Sequence, residues 1–197
     1  GPLPETIRGN KYCIVLMDYL SKYPEVKAVS YTNANVIATF LVEDVIARHG
    51  IPKALISDRG SQFTGEIIQK VCEALRIDKR FTTAYHPQTD GLVERFNRTL
   101  IQLLKQYVNE YHDNWDLYLP FALMAYRTTP HTSTGFSPHQ LLYGFEMRSP
   151  LDVSLDVPWQ TKSFDPDIYY HKLQKGLQLT LKQAQQNLKL AQQKQQY

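Results

Sequence analysis

Strand-length apolar runs alternate with segments of helical period through the first 111 residues, and that order leaves few folds open. Tyr12 to Met17 is an unbroken apolar run, as in a strand buried on both faces. Glu25 to Val29 alternates like a half-exposed neighbour, with Tyr23-Pro24 as the connection. Ala34 to His49 carries Val36, Phe40, Leu41, Ile46 and Ala47 at helical spacing and stops at Gly50-Ile51-Pro52. Ala54 to Ser57 reads as a short buried strand, Gly65 to Ile77 as a helix, and Arg80 to Tyr85 as an exposed edge strand. From Thr89 to Tyr111, Leu92, Phe96, Leu100, Leu103, Leu104, Tyr107 and Val108 form one broad helical face. The order strand, strand, helix, strand, helix, strand, helix predicts an α/β sheet with helical cover. Ligands of such sheets gather beyond the carboxyl ends of the strands.

Beyond Tyr111, Asn114 to Arg127 reads as an aromatic helix with Asn114 as N-cap before Trp115. Thr128 to Pro150 holds the turn formers Pro130, Gly135, Pro138, Gly144 and Pro150 around Leu141-Leu142-Tyr143, an ordered loop with one brief helix. Residues 151–166 read as a linker. After Asp167 no acidic residue occurs, while Lys172, Lys175, Lys182, Lys189 and Lys194 appear among glutamines. Leu173, Leu177, Leu181, Ala184, Leu188 and Ala191 recur every three or four positions, so residues 167–197 are expected to form a basic amphipathic helix. Such a helix packs on its own domain or a partner subunit, contacts nucleic acid, or stays disordered in isolation. The sequence leaves these three open.

At 197 residues and 43% hydrophobic, the chain can bury one sizeable core with a short appendage. Its net charge is only +3, so the whole-molecule field permits a polyanionic partner without indicating one. Cys13 and Cys72 lie inside apolar runs and read as reduced core thiols. The six histidines show no zinc-ligand spacing. Neither a membrane-length apolar run nor a signal peptide is present, so a soluble, non-secreted protein is expected, with no membrane partner. The sequon Asn97-Arg98-Thr99 falls within a helical pattern and is discounted on that basis.

Chemistry enters with Asp58, at the end of an apolar strand, and Glu94, near the start of a helix, with 35 residues between them. Carboxylate oxygens at such places suit Mg²⁺ or Mn²⁺ held against phosphate. Two such acids can share a pair of ions, one activating an attacking oxygen and one stabilising a leaving oxygen, usually with a third carboxylate as bridge. On the Glu94 helix, Asn97 and Arg98 fall near the face of the carboxylate, and Lys105 lies three turns on. Arg98 there either contacts a phosphate or forms a helix ion pair with Glu94.

Flanking residues narrow this further. Ile56-Ser57-Asp58-Arg59-Gly60-Ser61-Gln62-Phe63, then His86-Pro87-Gln88-Thr89-Asp90-Gly91-Leu92-Val93-Glu94-Arg95-Phe96-Asn97, then Tyr126-Arg127-Thr128-Thr129-Pro130-His131, together resemble the catalytic core of retrotransposon and retroviral integrases. The likeness is nearest to long-terminal-repeat elements of the gypsy type and covers residues 1–150. It implies an α/β, ribonuclease-H-like fold: a mixed five-stranded sheet flanked by helices, followed here by a C-terminal helical extension. It implies a polynucleotidyl transferase with an Asp, Asp, Glu triad and two Mg²⁺ or Mn²⁺ ions, trimming the 3′ ends of element DNA and joining them to target DNA. Asp58 matches the second acid and Glu94 the third, as catalytic residues and metal ligands. His86, Gln88, Asn97, Arg98 and Lys105 are the candidate DNA contacts, and Tyr85 to Gly91 matches the mobile loop beside the active site.

In that family the first aspartate stands just upstream of a Gly-Pro-Leu-Pro stretch, and this chain opens on Gly1-Pro2-Leu3-Pro4. The expectation is therefore a core fragment whose first strand and first catalytic Asp are cut away, inactive or weakly active alone. Asp18 is the only nearby acid that could stand in, and its place on a later strand favours a structural role. The family's zinc-binding N-terminal domain and C-terminal small β-barrel are likewise not represented. Partners implied are element and target DNA and a second copy of the chain, the aromatic Asn114 to Arg127 helix being either an interface or part of the core. Location would be the host nucleus or a virus-like particle. Two further readings stand beside this one: a domesticated or decayed module that binds DNA or assembles without catalysis, and a ribonuclease-H-type nuclease acting on hybrids.

Overall fold

The computed structural model describes residues 2–82, 87–157 and 166–194, with side chains from position 91 in the helix that opens at Pro87 and from position 170 in the last helix. The chain divides into two compact units, Gly1–Met17 with Pro24–Leu123, and Asp18–Tyr23 with Met124–Tyr197.

In the first unit, strands β1 (Tyr12–Met17) and β2 (Pro24–Val29) pair antiparallel, Tyr12 opposite Val29 and Met17 opposite Pro24. Helix α1 (Ala34–Thr39) runs on through a π-helical stretch, Phe40–Ile46, into a last turn α2 (Ala47–His49). Asn33 starts it by accepting the Val36 N–H at 2.9 Å, and Gly50 ends it at φ 83°, a conformation that only glycine adopts without strain. Strand β3 (Ala54–Ser57) pairs in parallel with β4 (Asp78–Phe81), Ser57 opposite Phe81. Between them lie a short α3 (Ser61–Thr64), which the sequence did not indicate, and α4 (Glu66–Ala74), the predicted helix, ending three residues short of Ile77 and set off from α3 by Gly65, whose ψ of 145° is extended.

Apolar positions at helical spacing put Ile37, Phe40, Leu41, Val45, Ile68 and Cys72 into one core with Ile14 and Ile77. Ile68 has no exposed surface, and a side chain of that size contributes about 1.5–3 kcal/mol by leaving water. Helix α5 (Pro87–Leu104) lays Leu92, Phe96, Leu100 and Leu104, one per turn, on its buried face and packs against β1. It is shorter than the sequence predicts. Past Leu104 the chain tightens (Gln106 N–H to Leu103 O, 3.2 Å), and Asn109, Asp113 and Asn114 bond one another instead of continuing the helix. Helix α6 (Trp115–Thr128) agrees with the sequence, and the side-chain oxygen of Asn114, the expected N-cap, accepts the Asn109 N–H at 3.1 Å.

The expected five-stranded sheet is not what forms among the described residues. Four strands make two separate two-stranded sheets. No strand joins them: ahead of β1 the chain folds back on itself, Leu3 N–H meeting Lys11 O at 2.7 Å around a turn at Gly9, φ 78°. Thin sheets leave their faces less covered than an unbroken apolar run suggests. Only Ile14 of β1 is buried, and Ile56 of β3 is 41% exposed. The predicted strand Arg80 to Tyr85 starts two residues early, and its end at positions 83–86 lies outside the described residues.

In the second unit, α7 (Pro138–Tyr143) is the predicted brief helix. Ser137 caps it by accepting the Gln140 N–H at 3.0 Å, and Gly144 closes it at φ 85°. A further helix, α8 (Pro150–Ser154), lies where a linker was expected. Helix α9 (Pro166–Lys194) is the predicted amphipathic helix, with Ala184 fully buried and Leu173, Leu177, Leu181, Leu188 and Ala191 half-buried. It packs within its own unit, against α7, and Asn187 Nδ2 donates to Thr134 O at 2.7 Å. This is the first of the three outcomes left open for that helix, and its lysines face solvent.

Candidate active site

Asp58 is the first residue beyond β3, at the carboxyl end of the strand, and its side chain is exposed. Gly60 fixes that carboxylate by donating its N–H to Oδ1 at 2.9 Å, and Ser57 Oγ donates to the Asp58 carbonyl at 2.9 Å. A chain leaving a parallel strand and turning at once into α3 points its first side chain outward at the strand end, which is why an acid there is open to an ion.

Beside Asp58 lies a group that the sequence did not single out. Strand β4 alternates, so Lys79 and Phe81 share one face while Asp78 and Arg80 share the other. On the second face Arg80 is neutralised by Asp78, with Nε and Nη2 at 2.8 and 2.5 Å. On the first, Lys79 Nζ donates to Ser57 Oγ and lies 4.5 Å from the centre of the Phe81 ring, and Arg59 Cζ lies over the same ring at 5.6 Å. Burial lowers the Lys79 ammonium below its ordinary value, against the opposing pull of Cys72 and Asp58. A Lys-x-Phe in a short strand whose parallel partner ends in an acid is the signal that would have found it.

Glu94 is exposed on α5, three residues before the half-buried Asn97 and one turn before the exposed Arg98. No ion pair joins Glu94 to Arg98 among the described residues, so the helix-pair alternative is not the one adopted. Lys105 is exposed in the turn that follows α5, its N–H still bonded to Ile101 O at 3.0 Å. Gln88 lies within α5 with its side chain outside the description, and His86, with the Tyr85 end of the expected loop, lies outside the described residues. Among the described residues no three His, Cys, Asp or Glu side chains cluster in a way that could hold a metal. What the fold presents is two open carboxylates on separate elements. Asp18 has a structural task instead: Oδ2 accepts both the N–H and the hydroxyl of Ser21 at 2.7 Å, bracing the turn before Lys22, φ 62°.

Cys72 belongs to the core, and Cys13 is half-buried on β1. Burial, with a smaller contribution from Asp116, pushes the Cys13 thiol up to about 12, and burial raises Cys72.

The first unit is thus an α/β arrangement with an open acid at a strand end and a second on a long helix, donor chemistry that suits Mg²⁺ or Mn²⁺. Comparison with known proteins bears on which fold this is. Residues 3–87 match the integrase core domain family. It is 32% identical over 144 residues to a retrovirus-related Pol polyprotein from transposon 412 of Drosophila melanogaster, covering 73% of this chain and 12% of that protein. To a Gag-Pol polyprotein of avian reticuloendotheliosis virus it is 37% identical over 138 residues, 70% of this chain and 12% of that one. The chain thus spans about an eighth of the length of these curated relatives. Among solved structures, the catalytic core domain of BIV integrase aligns with a TM-score of 0.55 at 26% identity, over 66% of this chain and 84% of that one. The HTLV-2 integrase catalytic core domain in complex with magnesium aligns with a TM-score of 0.56 over 70% and 88%; at 23% identity it speaks for the fold alone.

Proposed function

We propose that this chain is the catalytic core of a DNA integrase of a gypsy-type long-terminal-repeat element, a polynucleotidyl transferase that trims the 3′ ends of element DNA and joins them to target DNA. The observation that carries the reading is Asp58: an open carboxylate at the carboxyl end of β3, oriented by Gly60, in a segment that matches the integrase core domain. Residues 1–150 constitute the core, residues 151–166 a connection, and residues 167–197 the basic helix.

Asp58 and Glu94 are the catalytic acids of this reading and the ligands of Mg²⁺ or Mn²⁺. Their chemistry fits such ions, because Mg²⁺ keeps several waters and is bound by one or two carboxylates plus substrate phosphates rather than by a closed protein cage. When bound, the ions supply an activated attacking oxygen and a stabilised leaving oxygen. Gly60 holds the Asp58 carboxylate in place, and the α5 backbone holds Glu94. His86, Gln88, Asn97, Arg98 and Lys105 contact DNA, and the exposure of Arg98 and Lys105 leaves both heads available to phosphate. The functional assembly is a homodimer or larger multimer, since joining two DNA ends takes two active sites; exposed Leu117 and Phe121 on α6 offer apolar surface for it. The place of work is the host nucleus or a virus-like particle.

The test is DNA joining by the chain with an aspartate-bearing strand supplied ahead of Gly1. Joining of element-end DNA to a target should require Mg²⁺ or Mn²⁺ and should be lost in Glu94→Gln and in Asp58→Asn while DNA binding persists. Undiminished joining by Glu94→Gln defeats the assignment. DNA binding without any joining would turn the reading into that of a non-catalytic DNA-binding module.

A further inference from the structure

We propose that Lys79 and Arg59, gathered over the ring of Phe81 beside Asp58, form a phosphodiester-binding site that holds the nucleic-acid backbone next to the acid. The inference rests on the nucleic-acid reading of Asp58 above. Three observations carry it.

The first is charge that stays uncompensated. Arg80 has Asp78 and Lys70 has Glu66 at 2.7 Å, whereas neither Lys79 nor Arg59 makes an ion pair among the described residues, Asp58 acting on Lys79 only at longer range. The second is that both heads are held without being neutralised. A hydroxyl accepts from Lys79, and a ring lies under both cations at 4.5 and 5.6 Å; each is a neutral acceptor. An ammonium has three donors, and Ser57 Oγ takes one of them, with Arg80 O a weak contact at 3.5 Å. A guanidinium over a ring keeps its planar fork of N–H donors for a phosphate. The third is location. Ser57 faces Phe81 in the parallel register and precedes Asp58, so the pair of cations stands at the same strand end as the carboxylate. Two fixed positive charges there disfavour a lone divalent cation at Asp58 and favour one that arrives with an anion. A phosphodiester is the anion that nucleic acid brings.

A purely structural Lys79, one that only covers Phe81, makes a different prediction, and salt dependence separates the two. Binding of a short fluorescein-labelled random-sequence DNA duplex to the full chain would be followed by anisotropy over a KCl series in EDTA. Each phosphate contact adds about 0.9 to the slope of log K against log salt. Lys79→Met, which keeps the stem over the ring, should lower the slope by about one, as should Arg59→Gln, while Lys79→Arg keeps it. Lys70→Met, whose ammonium is already paired, should leave it unchanged. Circular dichroism and thermal unfolding establish that each variant is folded, and the exposed Arg59 carries the test if Lys79→Met does not fold. Unchanged slopes in the folded Lys79 and Arg59 variants, with wild-type binding intact, overturn the site and leave the functional reading standing. No binding by the wild-type chain overturns both.

Discussion

Thr6 donates its hydroxyl to Oδ2 of Asp116 at 3.0 Å, across 110 positions of sequence, and Asn10 Nδ2 reaches the same oxygen at 2.7 Å. Trp115 Nε1 adds a bond to Pro4 O at 2.8 Å, and Ile7 N–H one to Asp113 O at 2.9 Å. The start of α6 thereby sets the path by which the chain enters β1. Hydrogen bonds to a charged group are worth roughly 1.5–3 kcal/mol, and losing the acceptor strands two donors. Asp116→Ala is therefore expected to lower unfolding free energy by about 3 kcal/mol, and Asp116→Asn by less, in urea denaturation. Equal stability of Asp116→Ala and wild type would show that the bonds are not made in solution.

Gly60 separates folding from function. A Cβ there would meet Gln62 Nε2 at 2.6 Å and Asp58 Oδ1 at 2.9 Å, both ends of side chains that can move. Its backbone, φ −55° and ψ 142°, suits alanine. Gly60→Ala should change stability by less than about 1 kcal/mol while displacing the Asp58 carboxylate, so that metal-dependent joining falls by an order of magnitude or more. A full-rate Gly60→Ala enzyme would mean that the carboxylate does not need this orientation.

Cys13 gives a pH dependence whose sign is fixed by burial. Its thiol, pushed up to about 12, stays protonated in the folded chain at pH values where an unfolded thiol, near 8.5, has ionised. Between those values the unfolded state binds one proton fewer, so stability falls as pH rises, by about 1.4 kcal/mol per unit for this one group. Below the unfolded value its contribution is fully present. Cys13→Ala should remove that part of the alkaline slope in denaturation measured from pH 8 to 11, whatever it does to stability at pH 7. Identical slopes for the two proteins would mean that the Cys13 thiol ionises as readily in the folded chain as in the unfolded one.

Much of this was legible in sequence because it depends on period and punctuation. The apolar rows of α5 and α9 follow 3.6-residue spacing, and Gly50 and Gly144 mark helix ends. What depends on pairing across distance was not. That β1–β2 and β3–β4 form separate sheets follows from which edges find a partner, and the meeting of Lys79 with Phe81 and Arg59 follows from strand register. Helix α8 also has a local signature in the sequence. Ser149-Pro150-Leu151-Asp152 places proline at the first helical position and closes a capping box, Ser149 N–H to Asp152 Oδ2 at 2.6 Å and Asp152 N–H to Ser149 Oγ at 3.2 Å. For the candidate site, the proposal of Asp58 and Glu94 rests on their flanks, since an isolated acid carries no such information.

Two glycines of the second unit should respond to alanine with opposite signs. Gly144 sits at φ 85°, a left-handed conformation that costs a residue with Cβ about 1–2 kcal/mol, and its Cβ would stand 2.9 Å from Leu173 Cδ1. Leu173 and Leu177 seat α9 against this turn, so the methyl both strains the backbone and pushes on that helix. Gly176 lies within α9, exposed, with nothing within 4 Å of a Cβ. Alanine there gains about 1 kcal/mol of helix propensity without a clash. Chemical denaturation should thus show Gly144→Ala less stable and Gly176→Ala more stable than wild type, and amide exchange along α9 should speed up in the first and slow in the second. If Gly144→Ala left both stability and exchange unchanged, α9 would not be seated on that turn, and its lysines would be carried on a helix free of the second unit.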